Sequence, residues 1–335
     1  MQKIDLVYLW VDGNDKNWRQ EKAKYLAMDG GKDNLPSDAT VEARWRDNDE
    51  LKYALRSAEK YVPWINHIYL VTGFNQVPKW LNTKNPKITI VPHEAIMPPC
   101  AIPTFCSDNI EMCMANIPGL SEHFLLSNDD MFFTHPLTPD YFFDSNGRAI
   151  FRYNKRHTKR NKIGFSVEGL NDYQQRLILS CERIARIFNF DKAHRFAPSH
   201  GIDPYVKSSF LQCRMHPVIK RDIDMQLHDR FRQGYHVQRF LFNLYDKVHN
   251  HAVFVRSRHP KQTKNKLWNK IYNFIHRRGI NNSPVYCTDA LMANLYKHNP
   301  PVVCINDSAS TTDEMLEHNA AWLKHKFPKK SSFEK

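Results

Sequence analysis

Three observations predict an α/β fold with a mostly parallel sheet flanked by helices. Short apolar runs at residues 4–11 (IDLVYLWV), 68–72 (IYLVT), 88–91 (ITIV) and 124–126 (FLL) read as buried strands bounded by turn formers. Helix-period segments lie between them, and strands alternating with helices through residue 143 are the pattern of parallel strands joined by crossovers. Two of the strands end in oxygen-rich turns, Asp12-Gly13-Asn14-Asp15 and Ser127-Asn128-Asp129-Asp130. A parallel sheet would bring both to its carboxyl edge, where ligands collect.

The elements follow in order. After the first strand, residues 16–45 are polar and include Gly30-Gly31, a helix followed by a loop. Residues 47–62 are a helix, with Leu51, Leu55, Ala58 and Val62 on one face, acids at its start and Pro63 beyond its end. Pro78-Lys79-Trp80-Leu81 marks a short helix or tight turn, and residues 92–105 are proline-rich and irregular. A helix over 107–117 carries Ile110, Met114 and Ile117, and the strand 124–126 follows. Residues 172–190 are helical (Leu177, Ile178, Ile184, Ile187), 198–201 form a loop, and 235–248 are helical again through Val237, Phe240, Leu241, Leu244 and Val248. Residues 302–305 are a last strand, ending in Asn306-Asp307. Thr311 and Glu314 have capping-box spacing before a final helix with Leu316, Ala320, Leu323 and Phe327. The chain divides into an α/β core at 1–150, a basic, mainly helical region at 151–300 and a returning strand and helix at 301–335.

Composition bounds the chemistry. With 335 residues and 41% hydrophobic content the chain can bury a sizeable core. It holds no run near the ~18 apolar residues of a membrane span. The opening Met1-Gln2-Lys3 carries no signal-peptide pattern, and seven cysteines without a CxxC pair suit reduced thiols in a cytoplasmic setting. A net charge of +13 implies a polyanionic neighbour: nucleic acid, anionic lipid or a phosphorylated substrate. Basic residues concentrate at 152–162 (RYNKRHTKRNK) and at 256–278, the latter interleaved with Trp268, Tyr272 and Phe274. Most such runs are solvated loops. Asn128-Asp129-Asp130 is costly to bury unpartnered, and a divalent cation suits it; an ordinary strand-end turn is the competing reading.

Four blocks in order carry a family resemblance. Residues 4–15 (IDLVYLWVDGND), then 46–81 continuing through Pro103-Thr104-Phe105-Cys106-Ser107 and Glu111 to SNDDMFF, are the first two. A looser third has His200 and then Phe231-Arg232; the fourth is Cys304-Ile305-Asn306-Asp307 with the ending at 327–334. Together they resemble the Stealth family of sugar-phosphate transferases across nearly the whole chain. The resemblance implies a nucleotide-sugar transferase-like α/β core, with a helical C-terminal half closing over the site. It implies transfer of a hexose-1-phosphate from a nucleotide sugar, UDP-linked, to a hydroxyl of a glycan acceptor. The product is a phosphodiester, the nucleoside monophosphate is released, and a divalent cation, Mg²⁺ or else Mn²⁺, is required. The setting it implies is bacterial capsule or cell-surface polysaccharide synthesis, in the cytoplasm or at the inner face of the membrane. The acceptor is lipid-anchored or already phosphorylated, and no nucleic acid is expected.

The same resemblance assigns roles. Asp130 falls on the family's essential acid; from their own strand-end positions, Asp129 and Asp307 are candidate further metal ligands and Asn128 a candidate donor contact, with turn-building the alternative for Asn128 and Asp129. Glu111 and Ser107 fall on functional positions, although Asp108 and Glu111 also have capping-box spacing. Cys106 departs from the Asn or Ser that relatives carry. His200 is the expected general base, its unperturbed pKa being near neutrality. Arg232 would clamp phosphate bidentately; Tyr235 and His236 replace an acid found after it in relatives, so Arg230 is a rival. Trp10, Asp12 and Gly13 lie where donor nucleotides rest, and Arg56 on its helix would reach a phosphate. The rival functions are an ordinary metal-dependent glycosyltransferase releasing UDP and a basic nucleic-acid-binding protein, which would need no Asp130.

Overall fold

The computed structural model describes residues 2–31, 35–36, 39–155, 160–161, 164–165, 170–257, 267–268, 271–272, 285–286 and 300–335. Its strands are β1 (Ile4–Leu9), β2 (Ile68–Thr72), β3 (Ile88–Pro92), β4 (His123–Asn128), β5 (Met131–Phe133), β6 (Ala149–Lys155), β7 (Arg160–Asn161), β8 (Gly164–Phe165), β9 (Phe196–Pro198), β10 (Asp203–Val206), β11 (Ala252–Arg256), β12 (Val285–Tyr286) and β13 (Val302–Asn306). Its helices are α1 (Lys16–Met28), α2 (Glu50–Tyr61), α3 (Ser107–Glu111), α4 (Asp172–Phe188), α5 (Lys207–Met215), α6 (Pro217–Gln226), α7 (Phe240–Val248) and α8 (Asp313–Lys326).

The central sheet has the order β10-β4-β1-β2-β3. The pairs β4–β1, β1–β2 and β2–β3 are parallel, and β10 joins the edge of β4 antiparallel. The mostly parallel sheet is therefore as expected, and both of its faces are covered. Along β1, Ile4, Leu6 and Tyr8 enter one core with Leu51 and Leu55 of α2, Phe132 and Phe133 of β5, and Trp322 and Leu323 of α8. Val7 points to the other face, with Phe124, Leu126, Ile178, Ile184, Phe240 and Leu244. Burial on both faces explains why these strands read as continuous apolar runs rather than alternating ones.

Smaller sheets dress this core. Strands β11-β6-β9 form one, with β11 parallel and β9 antiparallel to β6. β13 runs antiparallel to β5 and parallel to β12. β7 and β8 form a short antiparallel ladder. Among the described residues no helix is long and apolar enough to cross a membrane.

Several helix boundaries differ from the sequence pattern, each for a local reason. The helix expected from residue 47 starts at Glu50. Asp47 accepts from Asp49 N–H, and Glu50 accepts from the Asn48 backbone and amide, so this acidic start is folded into turns. The helix expected over 107–117 ends at Glu111 and gives way to a 3₁₀ turn at Met114–Asn116, where Asn116 donates its amide to Ile96 O. The helix expected from 235 starts at Phe240, because Val237 N–H is held by Gln226 and Gln238 N–H by Ser180. Thr312, not Thr311, caps α8, accepting from Met315 N–H; Thr311 accepts from Ser308 instead.

Candidate active site

The strand ends converge as a parallel sheet requires. At the end of β4, Asp129 and Asp130 lie beside Asp47 and Glu50, which precede and open α2. Burial, then Asp130, Glu50 and Asp47 in turn, push the Asp129 carboxyl well above the usual carboxylate range. Burial likewise raises Glu50 to about 7. Asp130 is raised to about 6 by burial, against a hydrogen bond from Cys304 Sγ to its Oδ2 at 3.2 Å. Its Oδ1 is buried with no hydrogen-bond partner. A bound cation would relieve both the mutual repulsion and the orphaned oxygen. The acid pair therefore fits a divalent ion.

β13 brings the last acid to this corner, since Ile305 N–H donates to Asp130 O at 2.9 Å. Asp307 meets Arg46 at 3.4 Å, with its side chain only 9% exposed. At the end of β1, Asp12 is pinned to Gln76 by two 2.9 Å hydrogen bonds and adds negative charge at Asp47. Trp10 is buried, its indole N–H turned toward Asp47 without a close bond.

A second group of residues is built on paired arginines. Arg232 donates to Ser107 Oγ at 2.6 Å, and its Nε lies 3.0 Å from Asp108 Oδ2. Fully buried Arg176 approaches the same carboxylate at 3.3 Å. Arg239, just ahead of α7, pairs with Glu111 at 2.6 Å and with Asp203 of β10 at 3.4 Å. Burial pulls Glu111 upward and Asp203 to about 6, and Arg239 opposes it in both. Arg239 is also the hub joining the two halves, since its charge acts on Asp130 and on His200.

His200 follows β9. Burial, and then Arg239, lower its imidazole to about 4, and Nε2 is sealed from solvent with no hydrogen-bond partner. The ring is thus a neutral acceptor held next to a fixed cation.

The structure sorts the expected residues. Asp129, Asp130 and Asn128 share one strand end; Ser107 and Arg232 are bonded; Glu111 and His200 meet through Arg239. Arg230, the rival to Arg232, is instead tied to Cys100 O at 2.6 Å. Tyr235 and His236, where relatives carry an acid, both meet an acid that precedes Arg232: Asp229 Oδ2 accepts from Tyr235 OH and faces His236 Nε2. Asp108 and Glu111 do not form a capping box at the start of α3, because both carboxylates go to arginines.

One expectation needs correction. Arg56 does not face a donor phosphate: its guanidinium grips Glu334 at 2.6 and 2.7 Å and also donates to Phe327 O. It is a clasp holding residues 327–334 to α2. Arg56→Ala is expected to cost about 2–4 kcal/mol, because Glu334 is left charged and largely buried. Thermal denaturation should show the loss, while activity per folded molecule stays near wild type. Gly13 is held by backbone packing: a Cβ there would lie 2.1 Å from Trp45 O, which accepts from Gly13 N–H. Gly13→Ala should therefore unseat the loop carrying Arg46 and Asp47, lowering Tm and activity together.

One further cluster combines metal-ligating types. Cys106, Asp108 and His236 have ligand atoms within 4.8 Å of one another. Burial alone would lower His236, but Asp229 on Nε2 and Cys106 Sγ, 3.6 Å from Nδ1, raise it to about 9. A protonated ring and an Asp108 shared by two arginines disfavour a cation here.

Comparison with known proteins places the chain. Family models for Stealth protein conserved regions 1 and 2 match residues 2–30 and 44–151. The chain is 32% identical over 357 residues to the exopolysaccharide phosphotransferase cps2G of Lactiplantibacillus plantarum, spanning 99% of this chain and 96% of that protein. The chain belongs to the Stealth family. It is also 34% identical to the capsular polysaccharide phosphotransferase SacB of Neisseria meningitidis serogroup A, spanning 99% of this chain but 57% of that longer protein. Among solved structures, the galactosyltransferase LgtC in complex with donor and acceptor sugar analogs aligns over 98% of this chain at 10% identity. Its TM-score is 0.44, too loose a likeness to argue from. Arg239, Asp203, Asp47 and Glu50 join these clusters in the structure and were passed over by sequence reasoning.

Proposed function

We propose that this Stealth protein transfers a hexose-1-phosphate from a UDP-sugar to a glycan hydroxyl, forming a phosphodiester and releasing UMP during capsule or exopolysaccharide synthesis. One observation carries the reading: a raised acid pair with an orphaned oxygen, through its Asp130, and neutral His200 both feel the charge of Arg239. Relatives named as polysaccharide phosphotransferases support it.

The acceptor O–H attacks the β-phosphorus. The bond from that phosphorus to the bridging oxygen breaks, and UMP leaves with the electron pair. His200 Nε2 takes the acceptor's proton, which its neutral state permits once substrate binding uncovers the atom. Arg239 and Arg232 are already pre-oriented, so they neutralise phosphoryl charge without reorganisation. Asp130 and Asp129, with Asp307 nearby, would hold Mg²⁺ or Mn²⁺, which supplies charge neutralisation at phosphoryl oxygens. Trp10 and Asp12 would border the nucleotide. A lipid-anchored acceptor would place the enzyme at the inner face of the membrane.

Donor labelled at the β-phosphorus tests the reaction. Label is expected in the glycan. Label retained in UDP would instead establish an ordinary glycosyltransferase.

A further inference from the structure

Residues 44–47 tie the two groups of site residues together. Arg44 Nη2 donates to Ser107 Oγ at 3.4 Å, the hydroxyl that Arg232 also holds. Asp47 then adds its charge to that at Asp129 and feels Asp12. Between them Trp45 is fixed: it is buried, its ring lies 5.7 Å from that of Trp18, and its carbonyl accepts from Gly13 N–H. Arg46 is thus anchored on both sides, next to the acids.

The arginines that clamp this fold are gripped closely. Arg56 reaches Glu334 at 2.6 and 2.7 Å, and Arg239 reaches Glu111 at 2.6 Å. Arg46 is held differently. Among the described residues its guanidinium pairs with Asp307 alone, Nε lying 3.4 Å from Oδ2, and its side chain stays 34% exposed. The Asp307 side chain is only 9% exposed. Its Oδ1 accepts from Ser308 N–H at 2.7 Å, while Oδ2 is buried and has no hydrogen bond.

Both members of this loose pair keep unused capacity: a carboxylate oxygen on one side, guanidinium N–H donors on the other. Oδ2 can serve Arg46 or a cation, so the two compete for it. A diphosphate brought to this corner also meets Asp12, Asp47, Glu50, Asp129 and Asp130. A cation offsets part of that charge, and a guanidinium, which binds phosphate bidentately, is the side chain best shaped to offset more.

We propose that Arg46 is a donor-phosphate ligand and that it shares Asp307 with the metal: engagement of Asp307 by the ion turns the guanidinium over to the phosphate. This deepens the transferase reading above and rests on it. Because both events use Asp307, cation and diphosphate strengthen each other's binding reciprocally.

Calorimetric titration of the full chain with UDP, with and without Mn²⁺, tests this. Arg46→Ala is expected to weaken UDP binding about tenfold or more with Mn²⁺ present, the loss of one charge-assisted phosphate contact, and by less than about twofold without it. Mn²⁺ alone should bind Arg46→Ala at least as tightly as wild type, since its competitor for Asp307 is gone. Asp307→Asn should release Arg46 and tighten metal-free UDP binding, and Asp307→Asn with Arg46→Ala should lose that gain. Arg46→Lys should keep part of the Mn²⁺-dependent affinity, and a thermal melt of Arg46→Ala close to wild type shows that it is folded. Equal loss of UDP affinity with and without Mn²⁺ would leave Arg46 a structural residue and overturn the proposal. So would unchanged Mn²⁺-dependent affinity. Either result leaves the transferase reading standing, because the wild type still binds UDP with the metal. A wild-type protein that binds no UDP in either condition would overturn that reading, and the proposal with it.

Discussion

Asp130→Asn is expected to reduce sugar-phosphate transfer by roughly 10²–10³-fold, the loss typical of removing one group that stabilises transition-state charge. The substitution preserves shape, and the Ile305 hydrogen bond to residue 130 uses its backbone carbonyl, so the β5–β13 corner should survive. Stability should hold or rise, because burial already disfavours the ionised carboxylate. The reading predicts a separate signature: the Mg²⁺ or Mn²⁺ concentration giving half-maximal rate should move sharply upward. Initial rates across a metal titration, alongside a thermal melt, check both parts. A variant that melts normally and transfers at the wild-type rate would remove Asp130 from the site.

His200→Gln is expected to cost about 10²–10⁴-fold in kcat, the usual contribution of a general base. Its pH behaviour is distinctive. Burial and Arg239 hold the free enzyme's imidazole at about 4, so it stays neutral through the range where an ordinary histidine charges. The ratio of wild-type to variant kcat/KM should therefore be constant from pH 8 to 5 and fall only near 4. A bound diphosphate stabilises imidazolium, so the corresponding step in kcat should lie at higher pH than in kcat/KM. Stability follows the opposite sign from an ion-paired histidine. Below pH 6.5 the unfolded chain takes up a proton that the folded one refuses until about 4, so stability drains away across that window. His200→Gln should lose less stability over the same interval, as paired thermal melts would show.

How much of this was legible in the sequence depends on whether the information is local. β1, β2, β4 and β13 announced themselves because burial on both faces leaves unbroken apolar runs, whereas β3, with Thr89 exposed, was legible from its short Ile-Thr-Ile-Val run. The acid pair was visible as a strand-end cluster that an ordinary turn explains equally well, and the family resemblance singled out Asp130. Arg239 was not, since its importance lies in Glu111 and Asp203, 128 and 36 residues away. Asp47 and Glu50 read as helix-dipole acids, and only the fold shows them crowding Asp129. Arg56 misled for the complementary reason: a helical arginine looks available in the sequence until Glu334, 278 residues away, is seen paired with it. The capping-box spacing of Asp108 and Glu111 was equally deceptive, because arginines outcompete backbone N–H groups for a buried carboxylate.

The antiparallel attachment of β10 to β4 has a consequence for how the molecule is made. While the ribosome has delivered only the first half, the outer edge of β4 is a row of unsatisfied backbone groups, a template for pairing with any neighbouring nascent chain. Its partner is synthesised some eighty residues later and supplies Asp203, the second anchor of Arg239. Closing such a distant pairing is slow. The step that removes the sticky edge also seats the arginine hub, so catalytic competence arrives together with protection from aggregation, and neither half of the chain can acquire one without the other.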